Sequence, residues 1–332
     1  MNKEELNKKS KKVAGSIKKG LQLGGGIANG IIGNHLESIH QDLSIQMNFY
    51  SNGKKLLLNK ENLQNTHPNL SSKICILIHG LTNLESIWDF PHETHKNYGT
   101  LLQIEAGYSP FYIRYNTGLH ISENGKQLTN LIDKLTANYP IKIEEIIIIA
   151  HSMGGLVTRS ACYYAQKINH SWINNLKKIF FLGTPHLGAP LERFGNLLTS
   201  ILKNIPNIYT RWTGEIIDLR SDGIKDLRYG YLIDEDWKNN PTDELLKNNK
   251  TIVPLIEYVE YYIITGTISK QSNNLINDWF GDALVTKNSG IGNSKSKHHI
   301  AFNLENHKEF LGKSHLSLAY SKEIYSQIKS WI

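Results

Sequence analysis

Ser152 is the residue from which chemistry can be read, because it sits inside the run IIIIAHSMGGLV. The isoleucines ahead of it suit a strand buried on both faces, and Leu156 and Val157 behind it continue as a helix. A serine at such a sharp strand-to-helix turn projects its hydroxyl into a site, and its neighbours must be small to clear the flanking elements. Ala150 and Gly154 meet that need, Ala150 standing where the pattern G-x-S-x-G has its first glycine. A serine hydroxyl is a poor nucleophile until a base takes its proton, so the segment predicts acyl transfer with a partner base elsewhere in the chain.

Acyl transfer also needs donors where negative charge develops on the carbonyl oxygen. The amide of the residue after the serine, Met153, supplies one, and the turn after an earlier strand supplies another. ICILIHGLTN ends a strand at His79-Gly80, which puts the Leu81 amide in that second place, with His79 shaping the loop. The base is expected to be a histidine, since imidazole accepts and returns a proton near neutral pH without a large pKa shift. Position must choose among 14 histidines. In the chain order serine, acid, histidine, the acid follows a late strand and the histidine lies beyond it. NDWFGDALV follows the strand-like EYYIITGT, and GKSHLSLAY precedes a last helix. Asp282 is therefore the expected acid and His315 the expected base, with Asp278 as the rival acid and His298, His299 and His307 as rival bases.

Other chemistries fit poorly. Gly312-Lys313-Ser314 resembles the end of a phosphate-binding loop, but the earlier glycine it requires falls on His307. His92 and His95 flank Glu93 at the wrong spacing for a zinc helix, and Cys75 and Cys162 are too few for a zinc ribbon or a disulfide framework. Gly24-Gly25-Gly26 fails the dinucleotide pattern because Asn29 stands at its last glycine. No cofactor and no metal are expected.

The elements that must position these residues are short, Ile-rich apolar runs: ICILIHG, SPFYIRY, EEIIIIAHS, KKIFFLGTP and EYYIITGT. Helical patterns separate them, as over 121–139, where Leu128, Leu131, Ile132 and Leu135 recur at helical spacing. The alternation predicts an α/β fold with a mostly parallel central sheet and helices on both faces. One interval, about 187–257, breaks it, opening with an apolar stripe from Leu191 to Ile205, and reads as an inserted helical cap that packs on the core or covers an apolar site. Residues 1–20 read as a basic arm, 21–60 as an N-terminal helical or irregular segment, and 61–332 as the catalytic domain.

The 332 residues carry 37 Lys and Arg against 30 Asp and Glu, an excess concentrated in the arm. That makes the arm a candidate contact for an anionic membrane surface. Without interleaved aromatics or a nucleic-acid-binding motif, no nucleic-acid partner is expected. No cleavable signal peptide and no spanning helix are recognised, and two cysteines in buried-looking segments suit a reducing compartment. A cytoplasmic location, with peripheral membrane contact, is the expectation.

The segments ILIHGL ending at Leu81, IRYNTGLHISENGKQL (113–128), AHSMGGLV (150–157), FLGTPHLGAPLE (181–192), LRSDGIKDLRYGYLIDEDW (219–237) and GDALV (281–285) together carry a family likeness. The chain resembles a bacterial lipase/esterase of the α/β-hydrolase superfamily, in the branch similar to GPI inositol-deacylases. AHSMGG is widely shared among hydrolases, whereas the second, fourth and fifth segments are more particular to this branch. The resemblance implies the α/β-hydrolase fold, a Ser152, Asp282 and His315 triad, the Leu81 and Met153 oxyanion pair and a lipid-like acyl-ester substrate. An acyltransferase with the same triad, and a non-catalytic peripheral membrane adaptor, are the competing functions.

Overall fold

The computed structural model describes residues 45–189, 221–238, 250–267, 285–294 and 298–332. The basic arm, the stripe from Leu191 to Ile205, Asp278 and Asp282 lie outside them. The five Ile-rich runs become β3 (Lys73–Ile78), β4 (Ser109–Arg114), β5 (Glu145–His151), β6 (Leu176–Leu182) and β7 (Glu260–Thr267). They pair in parallel, and β8 (His307–Leu311) joins β7 in the same sense. β1 (Asn48–Ser51) and β2 (Lys54–Lys55) add an antiparallel hairpin beyond β4, so the eight strands among the described residues lie in the order β2-β1-β4-β3-β5-β6-β7-β8. The sheet thus takes in residues 48–55, which the sequence reading had placed in a helical or irregular segment.

The continuous apolar runs are explained by two cores, one on each face of the sheet. Ile74, Ile76 and Ile78 of β3, with Ile146, Ile148 and Ala150 of β5, belong to the first. The alternate residues, Cys75 and Leu77 with Ile147 and Ile149, belong to the second. A strand with helices on both faces has no solvated side, so every position along it is apolar. The first face is covered by α3 (Ile121–Asn138) and α4 (Met153–Lys167), through Leu128, Ile132 and Leu135 of one and Leu156, Val157 and Ala161 of the other. On the second face lie α2 (Tyr98–Ala106) and α8 (Lys322–Ser330), which bury Tyr98, Leu102, Ile324 and Ile328. The shorter α1 (Lys60–Thr66) and α7 (Lys287–Gly290) are the other α-helices among the described residues outside the long interval.

Within that interval the described helices are α5 (Asp222–Tyr229) and α6 (Asp234–Lys238). Both are fastened to α3. The buried Asp226 accepts hydrogen bonds from His120 Nδ1 at 3.0 Å and from the Ile121 amide at 2.8 Å. Trp237 stacks on the His120 ring at 3.9 Å and donates to Ser122 Oγ at 3.0 Å, and Lys126 pairs with Asp234. No helix among the described residues is long and apolar enough to cross a membrane.

Candidate active site

Ser152 occupies the turn between β5 and α4 with φ 54° and ψ −125°. A left-handed backbone at a non-glycine residue costs on the order of 1–3 kcal/mol and persists only where the surroundings enforce it. Here the Ser152 amide donates to the Leu182 carbonyl at 2.9 Å, tying the turn to β6, and the Ser152 carbonyl accepts from the Gly155 amide at 3.0 Å. The turn is closely walled as well. A Cβ at Gly154 would lie 2.6 Å from the carbonyl oxygens of Ile78 and His79, and one at Gly80 would lie 2.8 Å from Ser152 Cβ. The smallness that the sequence reading required of position 154 is a requirement set by the end of β3.

That contact also brings Leu81 to the elbow. The loop after β3 is shaped by His79, whose Nδ1–H donates to the Gly80 carbonyl at 2.9 Å and whose ring stacks on Tyr115 at 4.6 Å. Tyr115 Oη donates to the His79 carbonyl at 2.9 Å. Burial pushes the His79 imidazole down to about 4, which holds it neutral and suits a shaping role. Leu81 and Met153 are both buried. As the first helical residue, Met153 has an amide that no carbonyl of α4 can satisfy, and that amide points out of the helix N-terminus.

His315 lies at the start of the short 3₁₀ turn Leu316–Ala319, with its side chain buried. Its carbonyl accepts from His151 Nε2–H at 2.9 Å, and the two rings lie 4.8 Å apart. Residues 163 positions past the serine in sequence are thereby seated against the serine's own chain neighbour. Burial, and then the neighbouring His315, lower the His151 pKa to about 3, so His151 is a neutral brace. The sequence reading did not single out His151; its bond is to a backbone carbonyl, which no residue type advertises.

The rival bases are occupied elsewhere. His307 is hydrogen-bonded through Nε2 to Thr265 Oγ1 at 2.9 Å, while His298 and His299 line a cavity beside Arg159 and Lys250. Of the four candidate histidines, His315 is the one the described contacts bring to the elbow. Among the described residues no group of His, Cys, Asp and Glu is arranged to hold a metal ion.

The chain is similar to several solved structures. The lipase BlEst2 of Bacillus licheniformis is 15% identical, covering 78% of this chain and 91% of its own, with a TM-score of 0.49. A lipase-esterase related protein from Clostridium acetobutylicum is 15% identical over 79% of this chain and 95% of its own, at a TM-score of 0.40. Phospholipase PlaB from Legionella pneumophila is 15% identical over 66% of this chain and 45% of its own, at 0.41. No curated protein matches the chain in sequence. The family model described as a PGAP1-like alpha/beta domain matches residues 76–259, which include the loop after β3, the β5 to α4 elbow and the long interval. With residues 76–259 matched, more than half of its length, the chain belongs to the PGAP1-like alpha/beta domain family.

Proposed function

We propose that the protein is a serine carboxylester hydrolase acting on acyl esters of lipid-like substrates. His315 takes the proton of Ser152, and Ser152 Oγ attacks the ester carbonyl. The amides of Leu81 and Met153 hold the oxyanion, and His315 returns the proton to the departing alcohol. Water, activated by the same imidazole, then releases the carboxylic acid. Asp282 is assigned the task of holding the imidazole in its working tautomer. The observation that best supports this reading is the left-handed backbone of Ser152 at a strand-to-helix turn, with His315 seated against the residue before it. The family placement supports ester hydrolysis in general terms; the lipid-like substrate and the approach of the basic arm to an anionic membrane rest on the sequence.

Ser152→Ala tests the assignment. In a serine protease, removal of the nucleophile costs about a millionfold in kcat, and a loss of several orders of magnitude is expected here with p-nitrophenyl esters. A fluorophosphonate probe should label the wild type and spare the variant. A folded Ser152→Ala protein that keeps its esterase turnover refutes the mechanism. Rates across p-nitrophenyl esters of graded chain length test the substrate class, and a preference for acetate over every longer acyl group argues against a lipid-like ester.

A further inference from the structure

Thr82 holds a backbone that threonine avoids. Its φ is 62°, in the left-handed region, where a β-branched residue is a marked outlier that persists only when its surroundings enforce it. It is buried and lies one residue past Leu81, in the loop after β3. The Asn83 amide donates to the Gly80 carbonyl at 3.3 Å, so Gly80 to Asn83 form a turn with Leu81 and Thr82 at its centre. A left-handed residue at the third place of such a turn, behind one that is not left-handed, is the type II pattern, and that place calls for glycine or asparagine.

Three hydrogen bonds enforce the conformation, and all three fall on the peptide between Leu81 and Thr82. The Leu81 carbonyl accepts from Thr82 Oγ1 at 2.7 Å and from Asn83 Nδ2 at 3.1 Å, while the Thr82 N–H donates to Thr117 Oγ1 at 3.2 Å. Both polar atoms of that peptide are thus held by side chains, whereas the Leu81 N–H has no acceptor among the described residues. Thr117 is itself buried, in the turn after β4. The carbonyl of its neighbour Gly118 accepts from the Gly223 amide of α5 at 3.1 Å. A Cβ at Gly223 would lie 2.2 Å from the Thr117 carbonyl oxygen and 3.0 Å from Met153 Cε. The hydroxyl that holds Thr82 is therefore carried on a strap that α5 backs closely.

Without the Thr117 oxygen, the buried Thr82 N–H loses its acceptor and the left-handed φ loses a bond that offsets its strain. Return of Thr82 to a negative φ turns the Leu81–Thr82 peptide over and shifts Leu81, whose amide is the proposed oxyanion donor. We infer that Thr117 is a positioning residue of the proposed ester hydrolysis: its hydroxyl holds Thr82 left-handed, with Asn83 as a second hold on the same peptide, and so aims the Leu81 N–H. The inference rests on the reading of Ser152 as nucleophile and adds to it a residue that acts only through Thr82.

Turnover of p-nitrophenyl butyrate by the full chain, with kcat and KM separated, tests it. Thr117→Val keeps the shape of the side chain and removes the oxygen. Its kcat should fall by about tenfold or more, between the loss of one hydrogen bond and the loss of an oxyanion donor, with KM changed by less than about threefold. Thr117→Ser keeps the oxygen and should hold kcat within about threefold of wild type. Because Thr117 is buried, Asn83→Ala is the second variant; it removes one bond to the Leu81 carbonyl from a half-buried position, and kcat should fall by about threefold or more. Ser152→Ala is measured beside them. If it keeps its turnover, the reading of Ser152 fails and the inference with it. If it loses turnover while folded Thr117→Val or Asn83→Ala keeps the wild-type kcat, the inference alone fails. An equal loss of kcat in Thr117→Val and Thr117→Ser, or a loss carried by KM instead of kcat, also overturns it.

Discussion

Gly154→Ala separates the geometry of the elbow from the stability of the fold. The added methyl would lie 2.6 Å from two backbone oxygens, those of Ile78 and His79, about 0.8 Å inside the 3.4 Å at which ordinary contact begins. Neither oxygen is free to retreat, since both close β3 and the His79 carbonyl is held by Tyr115 Oη. The N-terminus of α4 must instead back away from the loop that carries Leu81. Oxyanion donors act within a window of about 2.7–3.1 Å, so a displacement approaching 0.8 Å removes one of the two proposed donors from use. That loss is worth about 10²–10³ in kcat, or about 3–4 kcal/mol, whereas overpacking costs the fold about 1–3 kcal/mol. Gly107→Ala is the control: Gly107 has φ 72° and nothing within 4 Å of an added Cβ, so alanine there costs about 1–2 kcal/mol of stability far from the site. Urea unfolding and kcat on p-nitrophenyl butyrate, measured well below both melting temperatures, give the comparison. A folded Gly154→Ala enzyme with kcat within about threefold of wild type refutes the reasoning, as does an equal loss of kcat in Gly107→Ala.

His151→Phe keeps a ring of similar shape and removes the N–H that the His315 carbonyl accepts at 2.9 Å. Leaving that carbonyl unpaired costs about 1–3 kcal/mol of stability, and kcat should fall by about tenfold or more as His315 loses its seat, with KM little changed; an unaltered kcat argues against the brace. Acid should destabilise the protein through His79 and His151, whose folded pKa values of about 4 and about 3 lie below the unfolded value of 6.5. The unfolded chain then binds more protons in the window from about 3 to 6.5, so these two groups make stability rise with pH across it and contribute no slope above. Urea midpoints at pH 4, 5 and 7 should climb in that order, and a midpoint as high at pH 4 as at pH 7 contradicts the assignment.

The sheet was legible because its physical cause lies in residue type. β5 is buried on both faces, so every position from Ile146 to Ala150 is apolar, and no polar alternation competes with the signal. The elbow was legible for a related reason, since a serine between an apolar strand and an apolar helix with small neighbours is a local pattern. The strands that escaped are those without a two-sided burial. In β8 only Phe310 is buried among His307, Lys308, Glu309 and Leu311, and β2 consists of the exposed Lys54 and Lys55. Both lie at the ends of the sheet, where pairing comes from backbone hydrogen bonds and charged side chains guard the edge.

The same distinction divides the site. His315 was named because chain order limits where a base can stand; the fold seats it against His151, the serine's neighbour, and its role as base is the proposal. His151 could not, since it acts through a partner whose residue type is immaterial, the carbonyl at 315. Such a partner is set by where the backbone runs after β8. A histidine beside a nucleophile therefore carries two independent pieces of information. Its residue type says that it has an N–H to give, and only the fold says that the acceptor belongs to the very residue on which the chemistry is proposed to depend.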